Sequence, residues 1–220
     1  MVSLYLVRHC EANGNVERIF QGSTDCDVSV SGAKQLEYLG KRFSNVSFDK
    51  IFSSPLIRAY KTALAVAGEK NVPVIKDPDL TEMNGGDIEG KPFAETFEKD
   101  AKLKYIWFNE PQNFAPKNGE SMRKVYLRAK KALDKFAKDA DNEGKTIVLS
   151  SHGGIIKNML CFVLYNDVER LIDVPWANNT SVSHIVYNNG KYEVKYINDA
   201  SHLPEEFAPV DVSKLWEDKK

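Results

Sequence analysis

Two arginines and two histidines follow short apolar runs of the sequence. Arg8 and His9 come directly after residues 2–7, and Arg58 and His152 each come shortly after a later run. A guanidinium group is planar, always charged and matches two phosphate oxygens at once. Together these four side chains would form a donor-rich cationic pocket, provided that the fold brings them to one place.

The apolar runs have the length and the Val, Ile, Leu and Phe content of buried strands. The predicted strands are residues 2–7, 48–52, 72–75 and 146–149, with a hairpin of residues 181–187 and 191–197 around Asn188-Asn189-Gly190. The predicted helices, from apolar periodicity, are residues 33–43, 56–68, 93–108, 120–140 and 155–164. In helix 120–140, we expect Val125, Leu127, Leu133 and Phe136 to face inward mostly.

Strands alternate with helices through most of the chain, which predicts the α/β class. We expect a three-layer sandwich with a mostly parallel central sheet and helices on both faces. The carboxyl ends of parallel strands share one edge of a sheet, and ligands of such sheets bind there. We therefore expect the arginines and histidines to lie close together at this edge.

Composition narrows the class of protein. The chain has 220 residues, a net charge of -1 and three cysteines. This length suits a single domain over residues 1–220. The near-neutral charge gives no reason to expect nucleic acid or a membrane surface as partner, and no apolar run approaches the roughly 20 residues that span a bilayer. The first residues do not resemble a secretory signal, and the scattered cysteines predict no disulfide framework, so we expect a cytoplasmic protein.

Further polar groups fall near the same predicted edge. The Asn15 amide would add a donor, while Gly153 and Gly154 would let the backbone approach an anion at a helix N-terminus. Glu82 follows the third strand, and the charge of a bound phosphate would favour its protonated, acidic form. The same loop carries three other acids that are alternatives for this role: Asp79, Asp87 and Glu89.

Taken in order, these blocks resemble the histidine phosphatase superfamily, in its phosphoglycerate mutase-like branch. The matching residues are Arg8-His9, Asn15, Gln21-Gly22, Asp25, Gly32, Ser53-Ser54 with Arg58 and Thr62, Leu80-x-Glu82 with Glu89-Gly90, Gly119-Glu120-Ser121, and Ser151-His152-Gly153-Gly154. The resemblance covers about residues 1–160 and weakens afterward. It implies a helical lid inserted at about residues 83–118.

The resemblance also implies roles for the matching residues. His9 would attack phosphorus through Nε2 to form a phosphohistidine. Arg8, Arg58 and His152 would hold the phosphoryl oxygens, and Glu82 would protonate the leaving oxygen. The resemblance implies substrate contacts for seven residues, three of which are the phosphoryl-holding residues just named: Arg8, Asn15, Gln21, Gly22, Arg58, His152 and Gly153. The family needs no metal or other cofactor, and the sequence has no metal-ligand spacing.

Cys10 departs from the family pattern, which has glycine after the catalytic histidine. A side chain at this position would restrict the loop backbone. A cysteine-phosphatase mechanism is not favoured, because the phosphate-binding loop that should follow such a cysteine, with its arginine, is missing. We therefore expect Cys10 to be tolerated without a catalytic role.

The predicted lid helps to distinguish a phosphatase from a mutase. The chain has no arginine between Arg58 and Arg123, whereas mutases of the family carry an arginine-rich segment there. The lid is instead rich in aromatic residues. We therefore expect a phosphomonoester phosphatase acting on a small organic phosphate with apolar or ring character, such as a ribazole phosphate, a sugar phosphate or phosphoserine. A phosphoglycerate mutase and a non-catalytic phosphate binder are the alternatives. The C-terminal hairpin is either a homodimer interface or a free sheet edge.

Overall fold

A six-stranded sheet forms the centre of the protein in a computed structural model, which describes residues 1–207. Its strands are β1 (Val2–Arg8), β2 (Lys50–Ser53), β3 (Val74–Lys76), β4 (Thr146–Ser151), β5 (Val182–Asn188) and β6 (Lys191–Asp199). They lie in the order β3-β2-β4-β1-β5-β6. The first four in this order pair in parallel, and β5 and β6 add an antiparallel hairpin.

Seven α-helices are present among the described residues. They are α1 (Asn13–Val16), α2 (Val30–Ser44), α3 (Ile57–Ala67), α4 (Phe93–Lys99), α5 (Ala101–Asn109), α6 (Met122–Lys138) and α7 (Gly153–Tyr165). Ser29 begins α2 by accepting a hydrogen bond from the Gly32 amide at 2.9 Å, as a serine before a helix commonly does. None of these helices, which all lie within residues 1–207, is long and apolar enough to cross a membrane.

The helices cover both faces of the sheet. On one face, Leu6 and Leu149 pack in the apolar core formed with α6 and α7. On the other, Val7 and Val148 pack with α2 and α3. Neighbouring residues of a strand point to opposite faces, so a continuously apolar strand is buried on both sides. The predicted α/β sandwich with a mostly parallel sheet is confirmed.

The predicted hairpin is confirmed as well. Asn189 and Gly190 have φ angles of 49° and 78°, the left-handed values that a tight two-residue turn requires. Since β5 runs antiparallel to β1, the start of β5 lies beside the carboxyl end of β1. The loop that leads into β5 is therefore placed at the predicted site edge.

Two expectations about helices were wrong. Residues 93–108 do not form one helix, because Asp100 ends α4 and caps α5 by accepting a hydrogen bond from the Leu103 amide at 2.8 Å. In α6, Leu127 does not face inward and is 64% exposed. The sequence alone leaves open whether the polar tail with Leu215 and Trp216 docks or frays, and these two residues lie outside the described residues.

Leu133 and Leu127 offer a matched test of this packing, because both lie on α6 and Leu133 is fully buried. We expect Leu133→Ala to lower the free energy of unfolding by about 2–5 kcal/mol through loss of burial and creation of a cavity. Leu127→Ala should change it by less than about 0.5 kcal/mol. Urea denaturation measures both, and equal effects would contradict the described orientation of α6.

Candidate active site

His9 lies directly after β1 and is buried. Its Nδ1 atom is 2.6 Å from the carbonyl oxygen of Cys10, and a carbonyl oxygen accepts hydrogen bonds but cannot donate them. Nδ1 therefore carries the ring proton. Burial, together with the charges of Arg58 and Arg8, lowers the pKa of His9 well below its ordinary value. The ring is thus neutral near pH 7, with an unprotonated Nε2 that can act as a nucleophile.

Both arginines are fixed by backbone carbonyl oxygens. The terminal nitrogens of Arg58 donate to three carbonyls of the 21–24 turn at 2.7, 2.7 and 3.0 Å. Arg8 donates through Nη1 to the carbonyl oxygen of Ala177. Burial lowers the pKa of Arg8 to about 10, so it stays charged at neutral pH. The two cations are therefore held in place before any ligand arrives.

Three buried nitrogen atoms at this edge have no hydrogen-bond partner within residues 1–207. They are Nε of Arg8, Nε of Arg58 and Nδ1 of His152. His152 is completely buried, its Nε2 lies 2.8 Å from the Ser54 hydroxyl, and its ring centre lies 5.1 Å from that of His9. Buried polar groups normally have partners, so this cluster is suited to an anion that would supply oxygen atoms. Arg8, Arg58 and His152 are called the phosphate clamp below.

Glu82 lies against the first turn of α7. Its carboxylate accepts hydrogen bonds from the Gly154 amide at 2.8 Å and from the Met83 amide at 2.9 Å. A Cβ atom at position 154 would lie only 2.4 Å from the Glu82 carboxylate, so this close approach requires glycine. The positive end of the helix thus fixes the carboxylate beside the clamp.

The three alternative acids are engaged elsewhere. Asp79 pairs with a lysine of α6, Asp87 accepts a hydrogen bond from an asparagine at 2.9 Å, and Glu89 accepts hydrogen bonds from the 23–24 turn and from Gly85. None of the three lines the pocket that the described residues form around His9, whereas Glu82 does. The geometry therefore favours Glu82 among the four.

The pocket beside His9 has a volume of about 590 Å³. It is lined by seven of the nine residues that the sequence singles out: Arg8, His9, Asn15, Gln21, Gly22, Glu82 and Gly153. The other two, Arg58 and His152, are fully buried beside it. Asn15 is held by a 2.9 Å hydrogen bond from the Ala12 amide to its Oδ1 atom. The fold thus brings together all the predicted site residues.

Five aromatic side chains line the same pocket: Phe20, Phe93, Trp107, Trp176 and Phe207. The first four are called the aromatic wall. Trp107 lies on α5, within the predicted lid, and stacks on Trp176 with ring centres 5.3 Å apart and planes inclined by 22°. Phe93 and Trp107 both belong to the 83–118 segment, so residues of that segment line the pocket. Such a wall favours a leaving group that carries apolar or ring surface.

Sequence reasoning missed the loop before β5. Trp176, Asn178 and Asn179 line the pocket, and the Asn179 side chain donates to the carbonyl oxygen of His9 at 3.0 Å. The segment 203–207 also contributes, with Glu206 exposed at the pocket. The loop before β5 could have been found from the sequence, because the antiparallel direction of the predicted hairpin places that loop at the same edge of the sheet as His9. No residue pattern in the sequence identifies segment 203–207 as part of the pocket.

Cys10 is compatible with the site. Its backbone does not have a positive φ angle, so glycine is not required there, and its amide donates to the Thr62 hydroxyl at 3.0 Å. The side chain is fully buried, and burial raises the pKa of the thiol to about 11. A protonated, inaccessible thiol is a poor nucleophile, which agrees with the absence of a predicted catalytic role.

Comparison with known proteins gives a consistent result. A family model described as histidine phosphatase superfamily (branch 1) matches residues 4–200. The chain belongs to the histidine phosphatase superfamily. This confirms the resemblance seen in the sequence, and with it the prediction of a phosphatase.

Among relatives in this superfamily, phosphoserine phosphatase 1 of Hydrogenobacter thermophilus is 35% identical, over 93% of this chain and 96% of that protein. The structure of Bacillus stearothermophilus YhfR is 32% identical with a TM-score of 0.86, covering 92% of this chain and 99% of that one. A 2,3-bisphosphoglycerate-dependent phosphoglycerate mutase of Cytophaga hutchinsonii is 25% identical, over 98% of this chain and 100% of that protein.

The neutral state of the two site histidines is testable by NMR. Burial and neighbouring cations lower the pKa of His9 and His152 well below the ordinary value. We expect their ring Cε1–H shifts to stay at the neutral position when the pH is lowered from about 7.5 to about 5.5, across the ordinary histidine value. His9→Asn and His152→Asn spectra provide the assignments. A titration of either ring near its ordinary value would contradict the described electrostatics.

Proposed function

We propose that this protein hydrolyses phosphomonoesters through a phosphohistidine at His9. The observation that carries the proposal is the neutral His9, with its unprotonated Nε2, beside three buried nitrogen atoms of the phosphate clamp that lack partners in residues 1–207. A phosphoryl group seated on these donors has its phosphorus atom next to a nucleophile. Groups that are already positioned need no reorganisation during the reaction, which is the main source of their effect on rate.

In the first step, Nε2 of His9 bonds to phosphorus while the bond from phosphorus to the ester oxygen breaks. The phosphate clamp carries the negative charge of the phosphoryl oxygens during transfer. Glu82 gives its proton to the departing oxygen, so the leaving group departs as an alcohol. As the general acid, Glu82 enters this step carrying the proton that it donates.

In the second step, a water molecule attacks the phosphohistidine. Glu82, now a carboxylate, takes one proton of that water, and the bond between Nε2 and phosphorus breaks as inorganic phosphate forms. The Nδ1–H bond to the Cys10 carbonyl keeps Nε2 as the reacting nitrogen throughout the cycle. Asn15, Gln21, Gly22 and the Gly153 amide contribute contacts to the substrate.

The substrate class is a small organic phosphate whose leaving group packs on the aromatic wall. Phosphoserine is supported by the name of the relative from Hydrogenobacter thermophilus. Charged groups suited to an amino acid are also present at the pocket, since Arg18 and the carboxylates of Glu11 and Glu206 line it. A phosphoglycerate mutase is the second candidate, favoured by the Cytophaga relative and by Arg18 as a partner for a substrate carboxylate.

We further infer a single domain with a lid at about residues 83–118, a cytoplasmic location and a small-molecule substrate as the partner. The aromatic contacts of α4 and α5 with the pocket support the lid. All three cysteines are free thiols, which is compatible with a reducing compartment. Dimerisation through the exposed face of β6 stays an open prediction.

The role of Glu82 can be tested with two leaving groups. We expect Glu82→Gln to lower kcat/KM for phosphoserine by about 10²- to 10⁴-fold, because the serine oxygen cannot leave without a proton. The loss for p-nitrophenyl phosphate should be much smaller, since p-nitrophenolate leaves unprotonated. kcat/KM reports the steps up to leaving-group departure, so the later hydrolysis of phosphohistidine does not affect the comparison.

Asp87→Asn is the matched control, because Asp87 belongs to the same loop but does not line the pocket of the described residues. Asp87→Asn should leave kcat/KM for phosphoserine and for p-nitrophenyl phosphate near the wild-type values. Equal losses for the two substrates in Glu82→Gln would contradict a general acid at this position. If the wild-type protein released no phosphate from either substrate, the phosphatase reaction itself would be wrong. Faster isomerisation than hydrolysis of phosphoglycerate would favour the mutase.

A further inference from the structure

Lys157 is a buried cation outside the phosphate clamp. It lies on α7, is 3% exposed, and donates from Nζ to the carbonyl oxygen of Val174. The same nitrogen lies 5.2 Å from the centre of the Trp176 ring. Lys157 forms no salt bridge with any carboxylate of residues 1–207. Burying an ammonium group without an ion-pair partner is unfavourable, so these two contacts must hold it in place.

The contacts of Lys157 both fall on one segment, residues 174–179, which leads into β5. This segment supplies Trp176 to the aromatic wall, where Trp107 of the lid stacks on it. Further along, its Ala177 carbonyl oxygen accepts a hydrogen bond from Arg8. Lys157 does not itself line the pocket, so it is linked to the pocket through its contact with Trp176.

We propose that Lys157 is a positioning residue for substrate binding: its ammonium group fixes Trp176 through the ring face and the Val174 carbonyl, and so sets the aromatic wall against which the leaving group packs. The inference rests on the proposed function, because it assigns the wall to the leaving group. The phosphate clamp depends less on this segment. Arg58 is held by the 21–24 turn, and Arg8 belongs to β1 and contacts the segment at the Ala177 carbonyl oxygen.

This arrangement responds to pH in a defined direction. Burial lowers the pKa of Lys157 to about 8, while Cys161 on the same helix and Asp173 act in the opposite direction. Asp173 is itself paired with Arg170, and burial raises the pKa of the Cys161 thiol to about 11, so the thiol keeps its proton near pH 8. Above the pKa of Lys157, the neutral amine no longer attracts the ring face, and the wall loosens.

The test compares three variants by their effects on a ring-bearing substrate and on free phosphate. We expect Lys157→Met to raise KM for p-nitrophenyl phosphate about tenfold, the size of a desolvated cation–π contact. The inhibition constant of inorganic phosphate, which contacts only the clamp, should change by less than about threefold, and so should kcat. Lys157→Arg keeps a charge and should restore most of the binding.

Lys130→Met is the matched control. The Lys130 ammonium also lies over an aromatic ring, that of Phe162, at 4.7 Å, but Lys130 does not line the pocket of the described residues. It should leave KM unchanged. In the wild type, KM should rise between about pH 7 and about pH 9, and this rise should be absent in Lys157→Arg, whose guanidinium stays charged. Substrate phosphate is already a dianion in that range.

Spectroscopy separates failure of this inference from failure of the proposed function. Stacked tryptophans give an exciton signal in circular dichroism, and we expect Lys157→Met to lose the signal of the pair formed by Trp107 and Trp176. This readout does not depend on catalysis. An unchanged signal and unchanged KM, or equal losses for the ring-bearing substrate and free phosphate, would overturn the role of Lys157. A wild type that shows the signal but hydrolyses no phosphomonoester would overturn only the proposed function.

Discussion

Buried positive charge at one edge of the sheet is the constraint on which the rest of the structure depends. Arg58 and His152 are fully buried, and Arg8 and His9 adjoin them. Charged groups removed from water need partners. The two guanidinium groups are partly compensated by hydrogen bonds to backbone carbonyl oxygens and by the negative charge of Glu82. Burial and the arginine charges keep both histidine rings neutral, and the nitrogen atoms that have no partner within residues 1–207 favour an anion.

The fold supports this cluster with rigid elements. Parallel strands β1 and β4 bring His9 and His152 to one edge, and the paired strands fix their spacing. The N-terminus of α7 holds Glu82 where glycine leaves room for it. The proposed catalytic groups therefore depend on strand ends and a helix end, whereas the aromatic wall is built from loops and from helices α4 and α5. Chemistry and substrate choice are consequently carried by different parts of the chain.

The sequence predicts well the groups that lie at the ends of strands and of α7. His9 and His152 follow apolar strands, and β-strand geometry alone then brings them together. The sequence predicts the aromatic wall poorly. Contacts such as the stacking of Trp176 on Trp107 depend on long-range packing and leave no local pattern in the sequence. The break at Asp100 and the exposed Leu127 were missed for a related reason, since apolar periodicity reports the average face of a helix and not its interruptions or its edges.

The central claim is that His9 forms a covalent intermediate, and trapping it is the most direct test. The protein is mixed with phosphoserine or p-nitrophenyl phosphate, quenched in base within the turnover time, and digested for mass spectrometry. The account predicts an acid-labile, base-stable phosphoryl group on the peptide that contains His9, and its absence from His9→Ala. A phosphoryl group on another residue, or active turnover with none on His9, would contradict it.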